Sequence, residues 1–151
     1  MRHSSRTDER TTLMTHHVAP RVRGIDHLVL TVADVEATLG FYADVLGLEP
    51  LEFAGGRRGL RAGDQKINLH EAGGEYDPHA RQPTRGSGDF CLLVETDVDE
   101  IATLLGEVGV PVEVGPVTKV GAKAALRSIY IRDPDGNLVE LANERDEAAH
   151  S

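Results

Sequence analysis

From Ile25 the chain alternates apolar and polar positions with period two. Ile25-Asp-His-Leu-Val-Leu-Thr-Val32 puts Leu28, Leu30 and Val32 on one face of a strand and His27, Val29 and Thr31 on the other. Asp34 then has the position of a helix cap, and the helix it opens carries Val35, Leu39, Tyr42 and Leu46 along one stripe before stopping at Gly47. Strands are predicted near 49–54, 58–62 and 66–71. The order then restarts. Asp89 to Val94 reads as a strand, and Asp97-Val-Asp-Glu100 has the spacing of a capping box. The helix that follows carries Val98, Ile101, Leu105 and Val108 and ends at Gly109. Strands near 112–117, 126–131 and 137–142 complete the second series.

The two series superpose by simple arithmetic. His27 to Asp89, Val32 to Val94 and Gly47 to Gly109 are each 62 positions apart, while the strand-end residues His70 and Glu140 lie 70 apart, the loops absorbing the difference. This predicts an α+β fold made of two βαβββ modules that form an eight-stranded cupped sheet with the helices outside. Neither module is large enough to bury its own sheet face without the other. Module one spans 23–72, a connector 73–87, and module two 88–144. Residues 1–22 are polar and lack the apolar segment of a secretory signal, so a disordered tail is expected there, with Met14 as an alternative start. A second short tail is expected over 145–151.

Composition narrows the function classes. The 151 residues carry 16 Lys+Arg against 25 Asp+Glu, a formal net charge of −9, which argues against nucleic acid or an anionic membrane surface as a partner. With three Tyr, three Phe and no Trp, the chain is poorly equipped to stack bases. No apolar run approaches the ~20 residues of a membrane span. The lone Cys91 excludes an internal disulfide and a cysteine-rich zinc site, as expected of a cytoplasmic protein. On the Asp89 face, Cys91 reads as a small buried filler.

Four polar side chains stand at corresponding places in the two modules: His27 and Asp89 on the first strands, His70 and Glu140 on the last. Period two puts each on the side away from the helix-facing apolar residues, so the duplicated fold is expected to aim all four into one cavity. Imidazoles and carboxylates gathered out of water are costly unless something compensates them, and a divalent cation does so. His27, His70 and Glu140 form a two-histidine-one-carboxylate set, with Asp89 as the fourth candidate. Nickel, zinc, manganese, iron(II) and cobalt all accept such ligands.

At these residues the sequence resembles the vicinal oxygen chelate superfamily, which includes glyoxalase I, extradiol dioxygenases, fosfomycin-resistance enzymes and bleomycin-resistance proteins. The resemblance covers about 23–143. It rests on Ile25-Asp-His-Leu-Val-Leu-Thr-Val, Phe41-Tyr-Ala-Asp-Val-Leu-Gly-Leu48 and Arg132-Asp-Pro-Asp-Gly-Asn-Leu-Val-Glu140. Within the superfamily it is most similar to the glyoxalase domain-containing protein five subgroup, through Gly63-Asp-Gln-Lys-Ile-Asn-Leu-His-Glu71, Gly121-Ala-Lys123 and Ser128-Ile-Tyr130.

The resemblance implies a divalent metal that coordinates two adjacent oxygens of a small substrate, and a homodimer. It matches His27 and Glu140 to the first- and last-strand ligands and gives Glu140 the further role of catalytic base. His70 falls where glyoxalase I commonly has a carboxamide or carboxylate, and Asp89 where several branches have histidine, so histidine and acid are exchanged between these positions. The function expected is that of a lyase or isomerase working through metal-stabilised enediolate chemistry. The alternatives are an iron(II)-dependent dioxygenase and a metal-free drug-sequestering protein of the bleomycin-resistance type. Lys123, Ser128 and Tyr130 are candidate substrate-binding residues, and the long connector with His79, Arg81 and Arg85 is a candidate lid.

Overall fold

The structure is a computed structural model that describes residues 18–146; of the expected tails, 1–17 and 147–151 lie outside the described residues, 18–22 form no helix or strand, and Arg145 still belongs to the last strand. Eight strands and two helices follow in the anticipated order. Module one contains β1 (His27–Val32), α1 (Val35–Leu39, continued as wider π turns over Gly40–Val45), β2 (Glu49–Phe53), β3 (Arg57–Ala62) and β4 (Gln65–Glu71). Module two contains β5 (Asp89–Leu93), α2 (Val98–Glu107), β6 (Val114–Val120), β7 (Ala125–Arg132) and β8 (Leu138–Arg145). The class is the α+β duplication that the pattern predicts. The eight strands form two hydrogen-bonded sheets of four, ordered β1-β4-β3-β2 and β5-β8-β7-β6, each with one parallel pair at its edge.

Local chemistry explains where the helices begin and end. Asp34 accepts a hydrogen bond from the Ala37 amide at 3.1 Å, and Asp97 accepts one from the Asp99 amide at 2.8 Å. Both helices finish at a glycine with positive φ, Gly47 at 78° and Gly109 at 77°, a conformation that other residues adopt only with strain. The π turns after Leu39 were not anticipated. They bring Tyr42 to full burial, with Phe41 packed edge-on against it at 5.0 Å between ring centres.

One core joins the modules. It collects Leu30, Val32, Leu60, Ile67 and Leu69 from the first sheet, Ile129, Ile131, Val139 and Leu141 from the second, and Leu39, Tyr42, Val98 and Leu105 from the helical segments. Tyr42 stacks on Phe90 of β5 at 6.4 Å and donates its hydroxyl to Asp133 beyond β7 at 2.8 Å, so the helical segment of module one is fastened to module two. Both apolar faces look onto this shared core. The opposite, polar faces of the two sheets therefore look away from it.

Candidate functional site

On the outward face of the first sheet, His27 begins β1 and is exposed. Its Nδ1 lies 2.8 Å from Asp26 Oδ2, an atom that can only accept, so Nδ1 carries the hydrogen and Nε2 presents a free lone pair. That hydrogen bond holds the Asp26 carboxyl below the usual carboxylate range. His27 pairs in register with Lys66, and Val29, the next residue on its face, pairs with Asn68. His27 and Asn68 are thus diagonal neighbours, ~7–8 Å apart along the ladder. Asn68 Oδ1 is buried with no hydrogen-bond partner among the described residues, and it lies over Gly59, where an added Cβ would stand 3.5 Å from it. An acceptor left in that state costs about 1–3 kcal/mol unless a donor or a cation meets it.

The second sheet repeats the diagonal. Asp89 pairs with Leu138 and Cys91 with Glu140, so Asp89 and Glu140 stand to each other as His27 stands to Asn68. Ser128 donates its hydroxyl to Glu140 Oε2 at 2.6 Å. Tyr130, opposite Glu140 on β7, has its hydroxyl pushed up to about 12 by desolvation first and by the neighbouring Glu140 carboxylate second. Lys119 Nζ stands 5.7 Å from the centre of the Tyr130 ring. Glu140 therefore has one oxygen anchored from behind by Ser128, with Tyr130 beside it.

Several expectations need correction. The four expected ligands do not converge within one chain: among the described residues no three His, Cys, Asp or Glu side chains are grouped as a metal would require. His70 is not the counterpart of Glu140. Glu140 pairs with Cys91, whose equivalent in module one is Val29, and Val29 pairs with Asn68. His70 pairs with Thr31 instead, four residues along the ladder from the His27–Lys66 pair, or ~13 Å. Ser128 is fully buried with its hydroxyl committed to Glu140. Lys123 is exposed in the turn before Ala125, which pairs with Arg145, five residues down the ladder from the Tyr130–Glu140 pair and so ~17 Å away. Asn68 holds the ladder position equivalent to Glu140, which sequence reasoning gave to His70. Its flanks, Ile67 and Leu69, mirror the Val139 and Leu141 that flank Glu140.

Cys91 is exposed on the outward face rather than a buried filler. Its thiol is nevertheless raised to about 11, by desolvation first and by the Glu140 charge second. Because the thiolate is the reacting species, alkylation by iodoacetamide at pH 8 is expected to run at least about tenfold slower than for an ordinary exposed thiol. The pH–rate profile should inflect near 11 and move down in Glu140→Gln, which removes the opposing charge. A wild-type inflection at the ordinary thiol value would contradict this placement of Cys91 beside the carboxylate.

Comparison with known proteins extends across both modules. Residues 24–141 match the family model of the Glyoxalase/Bleomycin resistance protein/Dioxygenase superfamily. Virulence protein STM3117 of Salmonella typhimurium is 45% identical over 118 residues, which are 78% of this chain and 82% of that protein. Its crystal structure superposes with a TM-score of 0.80, covering 82% of this chain and 98% of the other. Glyoxalase domain-containing protein RDO1 of Mycosarcoma maydis is 43% identical over 125 residues, 83% of this chain and 70% of that protein. A lactoylglutathione lyase from Agrobacterium tumefaciens is 29% identical in structure-based alignment, with a TM-score of 0.64 over 82% of this chain and 96% of its own. The duplicated βαβββ architecture and a sequence match running through both copies lead to one assignment: the chain belongs to the glyoxalase/bleomycin resistance protein/dioxygenase superfamily, whose fold is that of the vicinal oxygen chelate proteins.

Proposed function

We propose that this protein is a metal-dependent lyase or isomerase of the glyoxalase type. In this reading it works as a homodimer, with the first sheet of one copy and the second sheet of the other closing around one divalent ion and a small substrate that carries two adjacent oxygens. The observation that supports it best is the matched pair of half-sites, His27 with Asn68 and Asp89 with Glu140, set on the same diagonal of two sheets that face apart within one chain. Two donors on each face make half a coordination sphere. Among the described residues Asn68 Oδ1 lacks a partner, and His27 Nε2 is freed by Asp26, so the donors present suit a divalent ion.

The charges also favour a pairing of unlike faces. The first sheet turns His27, Lys66, His70 and Arg57 outward; the second turns Asp89, Glu140 and Glu144 outward, with Lys119 among them. The apolar Val29 and Leu93 lie exposed on the same two faces, at 45% and 58%. A two-fold axis pairs each first sheet with the other copy's second sheet, producing two equivalent sites.

Bound in such a site, the ion would supply Lewis acidity to the two substrate oxygens. Glu140 would carry a proton between the adjacent carbons, with Oε2 steadied by Ser128 and Oε1 left to work. In this reading Tyr130, beside that carboxylate, and Lys119, 5.7 Å from the Tyr130 ring, would meet the substrate.

Metal content by plasma mass spectrometry, after chelation and reloading with each candidate ion, tests the reading. Near-stoichiometric metal is expected in the wild type and in His70→Ala, and loss in His27→Ala and Glu140→Ala. A wild type that retains no divalent ion would sink the catalytic reading and leave the cup as a ligand-binding pocket. With metal retained, hemithioacetals of methylglyoxal with several thiols are the first substrates to assay, followed by catechols under oxygen.

A further inference from the structure

Ahead of β1 the chain carries a segment that its own fold leaves uncovered. Residues 18–26 form neither helix nor strand, and every one of them is exposed. Among them are Val18, Val22 and Ile25, at 94%, 83% and 66% exposure, a high apolar density for an arm that nothing buries. Its last residue is tied to the sheet, where the Lys66 amide donates to Asp26 O at 3.3 Å. Arg21 and Arg23 form no ion pair among the described residues. An extended arm would carry Arg21, Arg23 and Ile25 on the face of His27, because the side chains alternate with period two.

A complementary surface lies at the far end of the second sheet. There β5 is an edge strand, paired with β8 on one side and open on the other. Past its end lies an open cavity of about 570 Å³, lined by the exposed Leu93 and by Glu95, Asp97 and Glu144, with Arg145 in the same wall. Leu93 pairs with Ala142, so two residues further along the ladder Glu95 comes beside Glu144. None of the three carboxylates is in an ion pair among the described residues. The edge thus combines unpaired backbone groups, an exposed leucine and uncompensated negative charge.

The homodimer reading above, on which this inference rests, sets the two surfaces side by side. It gathers His27 of one copy and Asp89 of the other around one point, and the duplicated modules are then related by a local two-fold through that point. Such an axis turns β1 and β5 antiparallel. The residues before His27 therefore run along β5 of the other copy, placing Ile25 near Cys91, Arg23 near Leu93 and Arg21 near Glu95 and Glu144. The lengths agree, since six residues separate Arg21 from His27 and Asp89 from Glu95, ~20 Å of extended chain in each case. We propose that residues 21–26 of each copy add a fifth strand to the second sheet of the other. Backbone pairing to the open edge supplies the register, the stem of Arg23 covers Leu93, and Arg21 meets the two glutamates.

The test is sedimentation equilibrium of the full chain in about 50 mM and 500 mM salt. Arg21→Glu with Arg23→Glu is expected to weaken the dimer at least tenfold at low salt and less at high salt, where exposed charges are screened. Adding Glu95→Arg and Glu144→Arg to the same chain should restore the affinity, because the pairs are then merely exchanged. All four side chains are exposed, so the fold of each copy is not at risk. In a second measurement, Cys91→Ser chains carrying Arg21→Cys are mixed with Cys91→Ser chains carrying Glu95→Cys and oxidised. A disulfide between one chain of each kind is expected by mass. A dimer whose affinity ignores the arginine reversal, or mixed chains that form no such disulfide, would overturn the arm alone and leave the homodimer standing. A wild type that stays monomeric at about 100 µM would overturn both.

Discussion

Replacing Asp133 by alanine is expected to cost about 3–5 kcal/mol of folding stability, because two buried side-chain donors lose their acceptor at once, the largest loss from any single substitution considered. The side chain is 6% exposed, and it is satisfied by donors rather than by a cation. Tyr42 donates its hydroxyl to Oδ2 at 2.8 Å and Asn137 donates Nδ2 to the same oxygen at 2.7 Å. Oδ1 accepts from the Asp135 and Asn137 amides, each at 2.9 Å. Alanine would strand the Tyr42 hydroxyl, in a residue with no exposed surface, and the Asn137 amide, in one that is 1% exposed. Each orphaned group costs about 1–3 kcal/mol. Burial, followed by the Asp133 charge, already holds the Tyr42 hydroxyl far above its ordinary pKa, so it remains a donor at every working pH.

Urea titration should show the loss as a lower midpoint at unchanged slope, and the melting temperature should fall by more than about 10 °C. Tyr42→Phe removes one of the four donors and leaves Asp133 with three, so about 1–2 kcal/mol is expected there. In the double variant the two losses should fall short of adding, because both act through one hydrogen bond. If Asp133→Ala costs no more than Tyr42→Phe, the aspartate is not the anchor that the geometry makes it. The network ties the helical segment of module one to the β7–β8 turn of module two. Its loss should therefore loosen the whole domain in one transition rather than free a single module.

The same contacts explain which parts of the structure were legible in the sequence. The offset of 62 between His27 and Asp89, and between Gly47 and Gly109, is a statement about order along the chain, and it passes directly into the two βαβββ modules. Period two also assigns faces correctly: Leu30, Val32, Val139 and Leu141 are in the core and His27 and Glu140 are not. What period two does not contain is the shift of one strand along its neighbour. His70 and Asn68 share a face, so choosing between them as the mate of Glu140 required the ladder, in which Val29 meets Asn68 and Cys91 meets Glu140.

Nor does periodicity say which way a face points once the domain is assembled. That depends on Tyr42, which stacks on Phe90 and fastens the module-one helix to the second sheet, turning the polar faces outward. Arg132-Asp-Pro-Asp-Gly-Asn137 was legible as a turn. The burial of Asp133 within it was not, because nothing in a turn signature shows that a tyrosine ninety-one residues away will come to rest on its carboxylate.

A mixed dimer of His27→Ala and Glu140→Ala chains is expected to regain a metal site that neither variant retains alone. If each site takes its first-sheet half from one copy and its second-sheet half from the other, the mixed dimer contains one site with both defects and one with none. The intact site draws its sheet with His27 from the Glu140→Ala copy and its sheet with Glu140 from the His27→Ala copy. Dimers purified through two different tags should then hold about half the wild-type metal, and about half the activity once a substrate is known. Asn68→Ala mixed with Asp89→Ala should behave in the same way, since those residues are the second donors of the same two halves. If the site were formed within a single chain, every chain in the mixture would carry one defect and mixing would restore nothing. That outcome would require the two sheets to turn their polar faces toward each other within one chain, against the shared core that now holds them facing apart.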